Sequence, residues 1–230
     1  MHNFFYGDGV RPRLRRVSTD KAAPTAPRAG RTGRRERSPA AQERHDEILG
    51  IAMETFAARG YGKASLAEIA DRAGLTQAGV LHYFHSKANL LTEVLDLRDA
   101  TDIADLGPER PRGLAFLRHL VDTARRNAER EGIIRLYTVL SAESVTDDHP
   151  AQSYFRNRYA GLRDLVAEAL TEACARGETS EDLDVRGAAS AIVAVMDGLQ
   201  VQWLLDPGAV DMAASTDRVI EALLESMRKG

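Results

Sequence analysis

Hydrophobic residues recur at helical spacing along most of the chain after about position 42. The clearest run places its inward positions at i, i+3, i+4, i+7 and i+8, which are Ile48, Ile51, Ala52, Thr55 and Phe56. This spacing predicts an amphipathic helix over roughly 41–58, ended by Gly60. Alternation typical of a strand never extends beyond a few residues, so the pattern favours an all-α protein.

Polar residues mark the ends of the next helices. Ser65 and Glu68 form a capping box, in which each side chain can bond the other residue's backbone N–H. Gly74 can stop this short helix in a left-handed conformation. Thr76 and Ser86 can each cap a further helix, and these two helices are predicted over about 77–83 and 87–104.

Longer helical segments follow. They are predicted near 110–130, 133–146, 150–176, 184–205 and 211–228. The chain is therefore expected to be an all-α protein of about nine helices in two parts. We predict a disordered basic arm over 1–40, a helix-turn-helix domain over 41–92 and a ligand-binding and dimerisation domain over 93–230.

Composition narrows the class of protein. The 230 residues include one cysteine, Cys174, which excludes an internal disulfide and a Cys-rich zinc site, and which we interpret as a small apolar filler. The apolar run 188–196 stops at Asp197, well short of the roughly 20 residues that span a bilayer. We expect a soluble cytoplasmic protein without a membrane partner.

Charge is divided unevenly along the chain, whose net charge is −3. Residues 1–40 hold ten basic and three acidic residues, a net of +7, and residues 41–230 carry −10. Such a basic arm suits contact with nucleic acid or an acidic membrane surface. An organellar transit peptide, or a start codon assigned too early, are the alternatives for this arm.

The segment from Ser65 to Lys87 carries the most informative chemistry. Two capped helices joined by a Gly-containing turn within about twenty residues form a helix-turn-helix, whose second helix enters the major groove of DNA. At the start of that helix, Gln77 could pair with an adenine edge and Ala78 could touch a thymine methyl. The small Gly79 lets the helix end approach the bases.

The same window resembles the tetracycline-repressor (TetR) family of transcriptional regulators. The likeness runs from about His45 to Leu91 and rests on FAARGY at 56–61, SLAEIA at 65–70, AGLT at 73–76 and YFHSK at 83–87. The resemblance implies a three-helix DNA-binding domain, a connecting fourth helix, and a larger domain that dimerises and binds a ligand. It also implies a repressor that binds a palindromic operator, with no catalytic, cofactor or metal site.

Carried over residue by residue, the resemblance puts Thr76, Gln77, His82 and Tyr83 at or near DNA, with Lys87 on a phosphate. In all, nine positions are predicted to bind DNA. They are Lys63, Ser65, Thr76, Gln77, Ala78, Gly79, His82, Tyr83 and Lys87. The chain has Ala78 and Leu81 where the family commonly has Gly and then Tyr, so His82 or Tyr83 would replace the usual phosphate contact. Residues 41–92 carry five basic and six acidic residues, and the arm could supply the missing phosphate contacts.

In the family, the last two long helices of each subunit form a four-helix dimer interface. The matching apolar positions here are Ile192, Val195, Leu199, Trp203, Val219, Ile220, Leu223, Leu224 and Met227. A pocket for a largely apolar small-molecule effector is expected between the middle helices. Its candidate residues are Phe116, His119, Leu120, Tyr137, Leu140, Tyr154, Phe155, Tyr159, Met196 and Gln200. The alternative interpretation is that these aromatic residues belong to an ordinary core.

Other functions have less support in the sequence. His82 and His85 have metal-compatible spacing but no partner nearby, and Asp147, Asp148 and His149 before a proline are typical of a solvated loop. Phosphate loops, nucleophile elbows and zinc motifs are missing from the sequence, which argues against an enzyme. A helical adaptor that binds protein without DNA, and an activator on the same fold, stay as alternatives to the repressor.

Overall fold

The computed structural model describes residues 38–105, 110–180 and 182–226. These residues form nine α-helices and contain no strand, which confirms the all-α prediction for this part of the chain. The helices are α1 (Pro39–Lys63), α2 (Leu66–Arg72), α3 (Gln77–Phe84), α4 (Lys87–Asp105), α5 (Leu114–Asn127), α6 (Glu131–Glu143), α7 (Gln152–Ala175), α8 (Val185–Leu205) and α9 (Met212–Ser226).

The helix starts are fixed by the caps that the sequence predicts. Ser65 Oγ accepts from the backbone N–H of Glu68 at 3.0 Å, and Thr76 Oγ1 accepts from that of Gly79 at 3.1 Å. Ser86 Oγ accepts from the N–H of Asn89 at 3.0 Å. These caps place α2, α3 and α4 in the register expected from the sequence.

The first helix is longer than the predicted 41–58. Regular helix stops at Gly60, whose backbone angles are φ 71° and ψ 171°, and one further turn runs to Lys63. Ala64 then donates its N–H to the Gly60 carbonyl oxygen at 3.2 Å. The glycine therefore kinks the helix and redirects the chain toward α2.

Two large hydrophobic clusters, with a small third one around Trp203 and Met212, hold the described residues together. The first lies among the four helices α1, α2, α3 and α4 and contains buried residues such as Phe56, Ile69 and Phe84. It continues into α6 through Leu136 and Leu140. The second lies among α5, α7, α8 and α9, and contains Phe116, Leu117, Leu170, Ile192 and Ile220. Helices α1, α2, α3 and α4 thus share their core with α6 of the larger part.

Helix α8 leaves much of its apolar surface uncovered. It is the one helix in 38–105, 110–180 and 182–226 that is long and apolar enough to cross a membrane, a test that core helices of soluble proteins also pass. It packs against α6, α7 and α9. In its most apolar stretch of 18 residues, however, only 22% is buried within the subunit. This surface is available to a second copy of the chain.

Candidate functional site

Helix α3 presents a polar face to solvent and an apolar face to the core. Val80 and Phe84 are buried at 0% and 1% exposure, while Gln77, Ala78 and His82 are exposed or partly exposed. Thr76, which caps the helix, is exposed as well. The predicted DNA-reading residues at the helix start therefore share one accessible surface.

Two polar contacts join the helices that surround α3. His45 of α1 is buried, stacks on Phe84 at 4.7 Å between ring centroids, and places Nε2 2.8 Å from Glu93 Oε2 of α4. Arg72 of α2 donates to Thr55 Oγ1 of α1 at 3.0 Å. The sequence alone indicates neither role, because each pair brings together residues far apart in the chain.

The predicted phosphate ligands differ in accessibility. Lys63 is exposed, as such a ligand requires. Lys87 instead donates to the carbonyl oxygen of Tyr61 at 2.5 Å and lies 4.3 Å from the centre of the Tyr61 ring. Desolvation lowers the pKa of Lys87, and the nearby Glu143 carboxylate opposes this. The ammonium that is predicted to contact a phosphate thus has a partner within the protein, and Lys87 is half-buried.

Glu143, at the last position of α6, contacts the turn after the Gly60 kink. Its Oε2 accepts from the backbone N–H of Tyr61 at 2.6 Å and lies 3.7 Å from Nε2 of His149. The His149 side chain is 8% exposed and meets the Tyr61 ring edge-on at 5.3 Å. The interpretation of His149 as part of a solvated loop was therefore wrong, because its ring packs on Tyr61.

A cavity of about 570 Å³ lies between α5, α6, α7 and α8. Among the residues predicted to contact an effector, those that line it are Phe116, His119, Leu120, Tyr137, Phe155, Tyr159, Met196 and Gln200. Leu140 is fully buried in the first core. The Tyr154 hydroxyl lies 2.7 Å from Asp99 Oδ1, and burial raises the pKa of this hydroxyl. These two residues do not line the cavity, because core packing and a buried hydrogen bond occupy them.

The cavity also has polar groups that were not predicted from the sequence. Arg158 pairs with Asp99 of α4 at 2.8 Å, and Asp197 of α8 lies on the wall. Burial raises the pKa of Asp197, an effect that a hydrogen bond from Tyr159 and the charge of Arg158 reduce. Burial and the charge of Asp197 raise the pKa of Tyr159 to about 12. The apolar pattern of the helices carries no signal for these pairings.

Four predicted dimer residues are already buried within their own subunit. They are Ile192, Trp203, Ile220 and Leu224. Val195, Leu199 and Leu223 are half-buried, and Met227 lies outside the described residues. The exposed glycine, alanine and larger apolar residues of α8 lie on a different face, and they are Gly187, Ala191, Ala194, Val201 and Leu205. The residues of α8 that helical periodicity selected lie mainly on the side of the helix that faces the core of its own subunit.

Two family models match the chain. The model described as "Bacterial regulatory proteins, tetR family" matches residues 48–94, and "BetI-type transcriptional repressor, C-terminal" matches residues 110–229. The chain belongs to the TetR family of bacterial transcriptional regulators. The first match covers the TetR helix-turn-helix α2–α3 with the helices before and after it, and the second covers the part that contains the cavity.

Curated TetR relatives match most of this chain. The probable HTH-type transcriptional regulator ArpR of Pseudomonas putida is 30% identical over 200 residues, which are 82% of this chain and 93% of ArpR. The HTH-type transcriptional regulator TtgR, also of Pseudomonas putida, is 28% identical with the same coverage. Because the relatives are named as regulators, this TetR chain is a DNA-binding transcriptional regulator and not an enzyme.

Solved TetR structures share the fold. FadR from Bacillus subtilis, crystallised with stearoyl-CoA, has a TM-score of 0.67 at 21% identity and covers 80% of this chain and 99% of its own. NalD from Pseudomonas aeruginosa, a repressor of the MexAB-OprM multidrug efflux pump, has a TM-score of 0.59 at 22% identity, with coverages of 82% and 98%. Regulators with this TetR fold bind DNA operators as dimers.

Proposed function

We propose that the chain is a cytoplasmic repressor that binds a palindromic operator as a homodimer and releases it when a small, largely apolar effector fills the cavity. The observation that carries this proposal is the position of the cavity. Its walls include residues on either side of Glu143, namely Ala142 in α6 and Val145 just after that helix, and Glu143 holds Tyr61 beside the DNA-binding helices. A ligand that displaces the end of α6 would therefore act on the orientation of α1 and α2.

Helix α4 offers a second connection between cavity and DNA. Asp99 of α4 pairs with Arg158, which lines the cavity, and the hydroxyls of Tyr137 and Tyr154 lie 3.1 and 2.7 Å from the same carboxylate oxygen. Since α4 begins right after the reading helix, a shift of Arg158 would move the support of α3. Release requires that the effector bind the DNA-incompetent state more tightly than the competent one.

A largely apolar effector agrees with the size of the cavity and with the ligand of one structurally similar regulator. The cavity volume, about 570 Å³, lies in the ordinary range for small-molecule sites. FadR of Bacillus subtilis was crystallised with stearoyl-CoA, a ligand with a long hydrocarbon chain. Its fold, shared with this chain, can therefore enclose an apolar molecule of considerable size.

The proposed dimer surface is the exposed face of α8 formed by Gly187, Ala191, Ala194, Val201 and Leu205. Small side chains along this face would let the same helix of a second copy approach closely. Val201 and Leu205 are 44% and 82% exposed, large values for apolar residues of a soluble protein. Two-fold pairing on this face would give the dimer two reading helices, one for each half-site.

The proposed DNA contacts are those predicted from the sequence, with Lys87 contributing only if its ammonium leaves Tyr61. The arm over 1–40 would add phosphate contacts, and its residues 1–37 lie outside the described part of the chain. Deleting residues 1–38 should reduce the salt dependence of operator binding, since fewer counterions would be released. An unchanged salt slope would reject the arm as a DNA contact.

Selection of bound sequences from random DNA with the full chain tests the proposed function. A palindrome with two equal half-sites is expected. Gln77→Ala should weaken binding to it by about fivefold to a hundredfold, the range for loss of one bidentate base contact. Gln152→Ala on α7 makes the same chemical change away from α3 and should have no effect. No enrichment at any salt concentration would favour the protein-binding adaptor instead.

Effector release is tested separately on the selected operator. Apolar compounds of several classes are added to the protein–operator complex, and dissociation is followed by fluorescence anisotropy. At least one class should release the operator, and a bulky substitution in the cavity wall, Ala142→Phe, should abolish that response. Tighter operator binding on ligand addition would contradict a released repressor.

A further inference from the structure

Two carboxylates at the cavity share one guanidinium. Arg158 Nη1 lies 2.8 Å from Asp99 Oδ1, and these side chains are 17% and 14% exposed. The Arg158 guanidinium also lies 4.4 Å from the centre of the Tyr137 ring. The positive charge of Arg158 is therefore balanced by Asp99 in a mostly buried ion pair.

Asp197 is the second carboxylate, and it lines the cavity directly. Its pKa is raised by burial, while the Tyr159 hydroxyl and the charge of Arg158 offset only part of that effect. Because Arg158 also neutralises Asp99, these three side chains together carry one negative charge when Asp197 is ionised. A buried charge without full compensation is costly, so the site favours a positive partner.

Arg126 and Arg130, the other arginines of the cavity wall, lie in a different part of it. Ser141, which interacts with Tyr159, comes eleven positions after Arg130 along α6, or about 16 Å of helix. Arg126 and Arg130 flank the turn between α5 and α6, and Arg126 donates to Thr123 Oγ1 at 2.9 Å. The charge that acts to lower the pKa of Asp197 comes from Arg158. The cavity thus has an acidic region at α8 and a basic region at the α5–α6 turn.

Aromatic and aliphatic side chains surround the acidic region. The Tyr159 ring, whose hydroxyl bonds Asp197, lies 6.5 Å from the Phe155 ring, and Met196 precedes Asp197 on the same wall. Aromatic faces attract cations electrostatically, and more strongly when water is excluded. Carboxylate and aromatic rings together form a site for a cation attached to an apolar body.

We propose that the cavity binds an apolar amine whose protonated nitrogen contacts the Asp197 carboxylate beside the Tyr159 ring. This inference rests on the proposed effector function and specifies its ligand class, one hydrocarbon body with one cationic nitrogen. The protonated nitrogen supplies the positive charge that compensates the Asp197 carboxylate, and the apolar walls bind the hydrocarbon.

Binding of three probes with one hydrocarbon chain tests the proposal on the full wild-type protein. Dodecylamine, dodecanol and dodecanoate are titrated below their aggregation limits, without DNA, by isothermal calorimetry. Dodecylamine should bind about tenfold or more tightly than dodecanol, as expected for one charge-assisted hydrogen bond. Equal affinity of amine and alcohol would overturn the proposal, and so would tighter binding of dodecanoate.

Asp197→Asn removes the charge while it keeps nearly the same shape. The variant should lose the preference for amine over alcohol and keep its affinity for dodecanol, a result that misfolding would not give. Asp217→Asn, at an exposed position of α9, makes the same change away from the cavity and should leave the preference intact. An unchanged preference in Asp197→Asn would reject Asp197 as the partner of the amine.

The three probes are compared on the wild-type protein, so this part of the test does not depend on whether a variant folds. Amine binding at Asp197 without operator release would support this inference and contradict the proposed effector function. Operator release by dodecanoate, with binding lost on Arg130→Gln, would contradict this inference and support effector release.

Discussion

The carboxylate of Glu143 accepts a hydrogen bond from the backbone N–H of Tyr61 at 2.6 Å. The two residues are 82 positions apart, and the bond joins the end of α6 to the turn that follows the Gly60 kink in α1. His149 lies within 3.7 Å of the same carboxylate oxygen, and the Lys87 ammonium is attracted by it. This group of four residues, which we call the α6 junction, connects the end of α6, beside the cavity, to the DNA-binding helices.

Replacing Glu143 by Ala should weaken the α6 junction. The N–H of Tyr61 would lose a charged acceptor, and because Glu143 is about one-third exposed we expect a loss of about 1–2 kcal/mol in the free energy of unfolding. Urea unfolding measures this loss, and Glu129→Ala at an exposed position should show none of it. The effector should also release the operator less effectively from Glu143→Ala. Wild-type stability and wild-type release together would exclude a role for this contact.

Gly60→Ala should be strongly destabilising. At φ 71° and ψ 171° the backbone occupies a region that is open essentially to glycine alone, and an added Cβ would overlap the Glu143 carboxylate. We expect a cost of about 2–4 kcal/mol, measured by urea unfolding. Gly132→Ala, at a helical position with open space around it, is the control and should be neutral or slightly stabilising.

A double variant separates the two causes. In Gly60→Ala/Glu143→Ala the overlap is gone while the backbone strain persists, so the combined cost should be less than the sum of the single costs. Strict additivity would show that the carboxylate does not restrict the space at Gly60.

Protonation of His149 should destabilise the fold. Desolvation lowers the pKa of His149 below its ordinary value of 6.5, although Glu143 opposes the shift, so the unfolded chain binds the proton more tightly than the folded one. Stability should fall as the pH drops through 6.5 and level off below the folded pKa. Thermal unfolding across this range measures the effect.

His149→Asn is the matched variant for that experiment. Its amide oxygen can replace Nδ1, which accepts from the N–H of Ala151 at 3.2 Å, and it does not titrate. The difference in melting temperature between wild type and variant should therefore change with pH in this window. A constant difference would assign the acid sensitivity to other groups.

Ala194→Glu should dissociate the dimer. The residue is exposed in the middle of the small-residue face of α8, and a second copy would have to bury the added carboxylate. Sedimentation velocity should show a monomer, and operator affinity should fall with it. Ala128→Glu, exposed at the end of α5, introduces the same charge elsewhere and should stay dimeric. A dimeric Ala194→Glu would place the interface on another surface.

Local chemistry explains what the sequence predicted well. The caps at Ser65, Thr76 and Ser86 act on N–H groups three residues away, so the spacing alone identifies them. Gly74 adopts the predicted left-handed conformation, with φ 62°. Most residues predicted to contact an effector also line the cavity, because aromatic side chains on the inner faces of long helices converge between those helices.

Contacts between distant residues explain what the sequence could not supply. Nothing near Glu143 in the chain indicates that its carboxylate meets Tyr61, and Asp99 and Arg158 are 59 positions apart. The residues predicted to form the dimer interface are a separate case. Periodicity identifies the most apolar face of α8, which its own subunit covers through Ile192 and Trp203, whereas the exposed face has small residues that give little hydrophobic signal.

The reading helix α3 contributes Val80 and Phe84 to the core, while Gln77, Ala78 and His82 meet solvent. Substitutions at those three positions change the surface offered to DNA without changing core packing or the cavity. Duplicated copies of such a gene could acquire new promoters while they respond to the old signal. Because the exposed residues of α3 are separate from the cavity, the chain is a suitable scaffold for biosensors. In such a sensor, substitutions in one turn of α3 would direct the same chemical signal to a chosen gene.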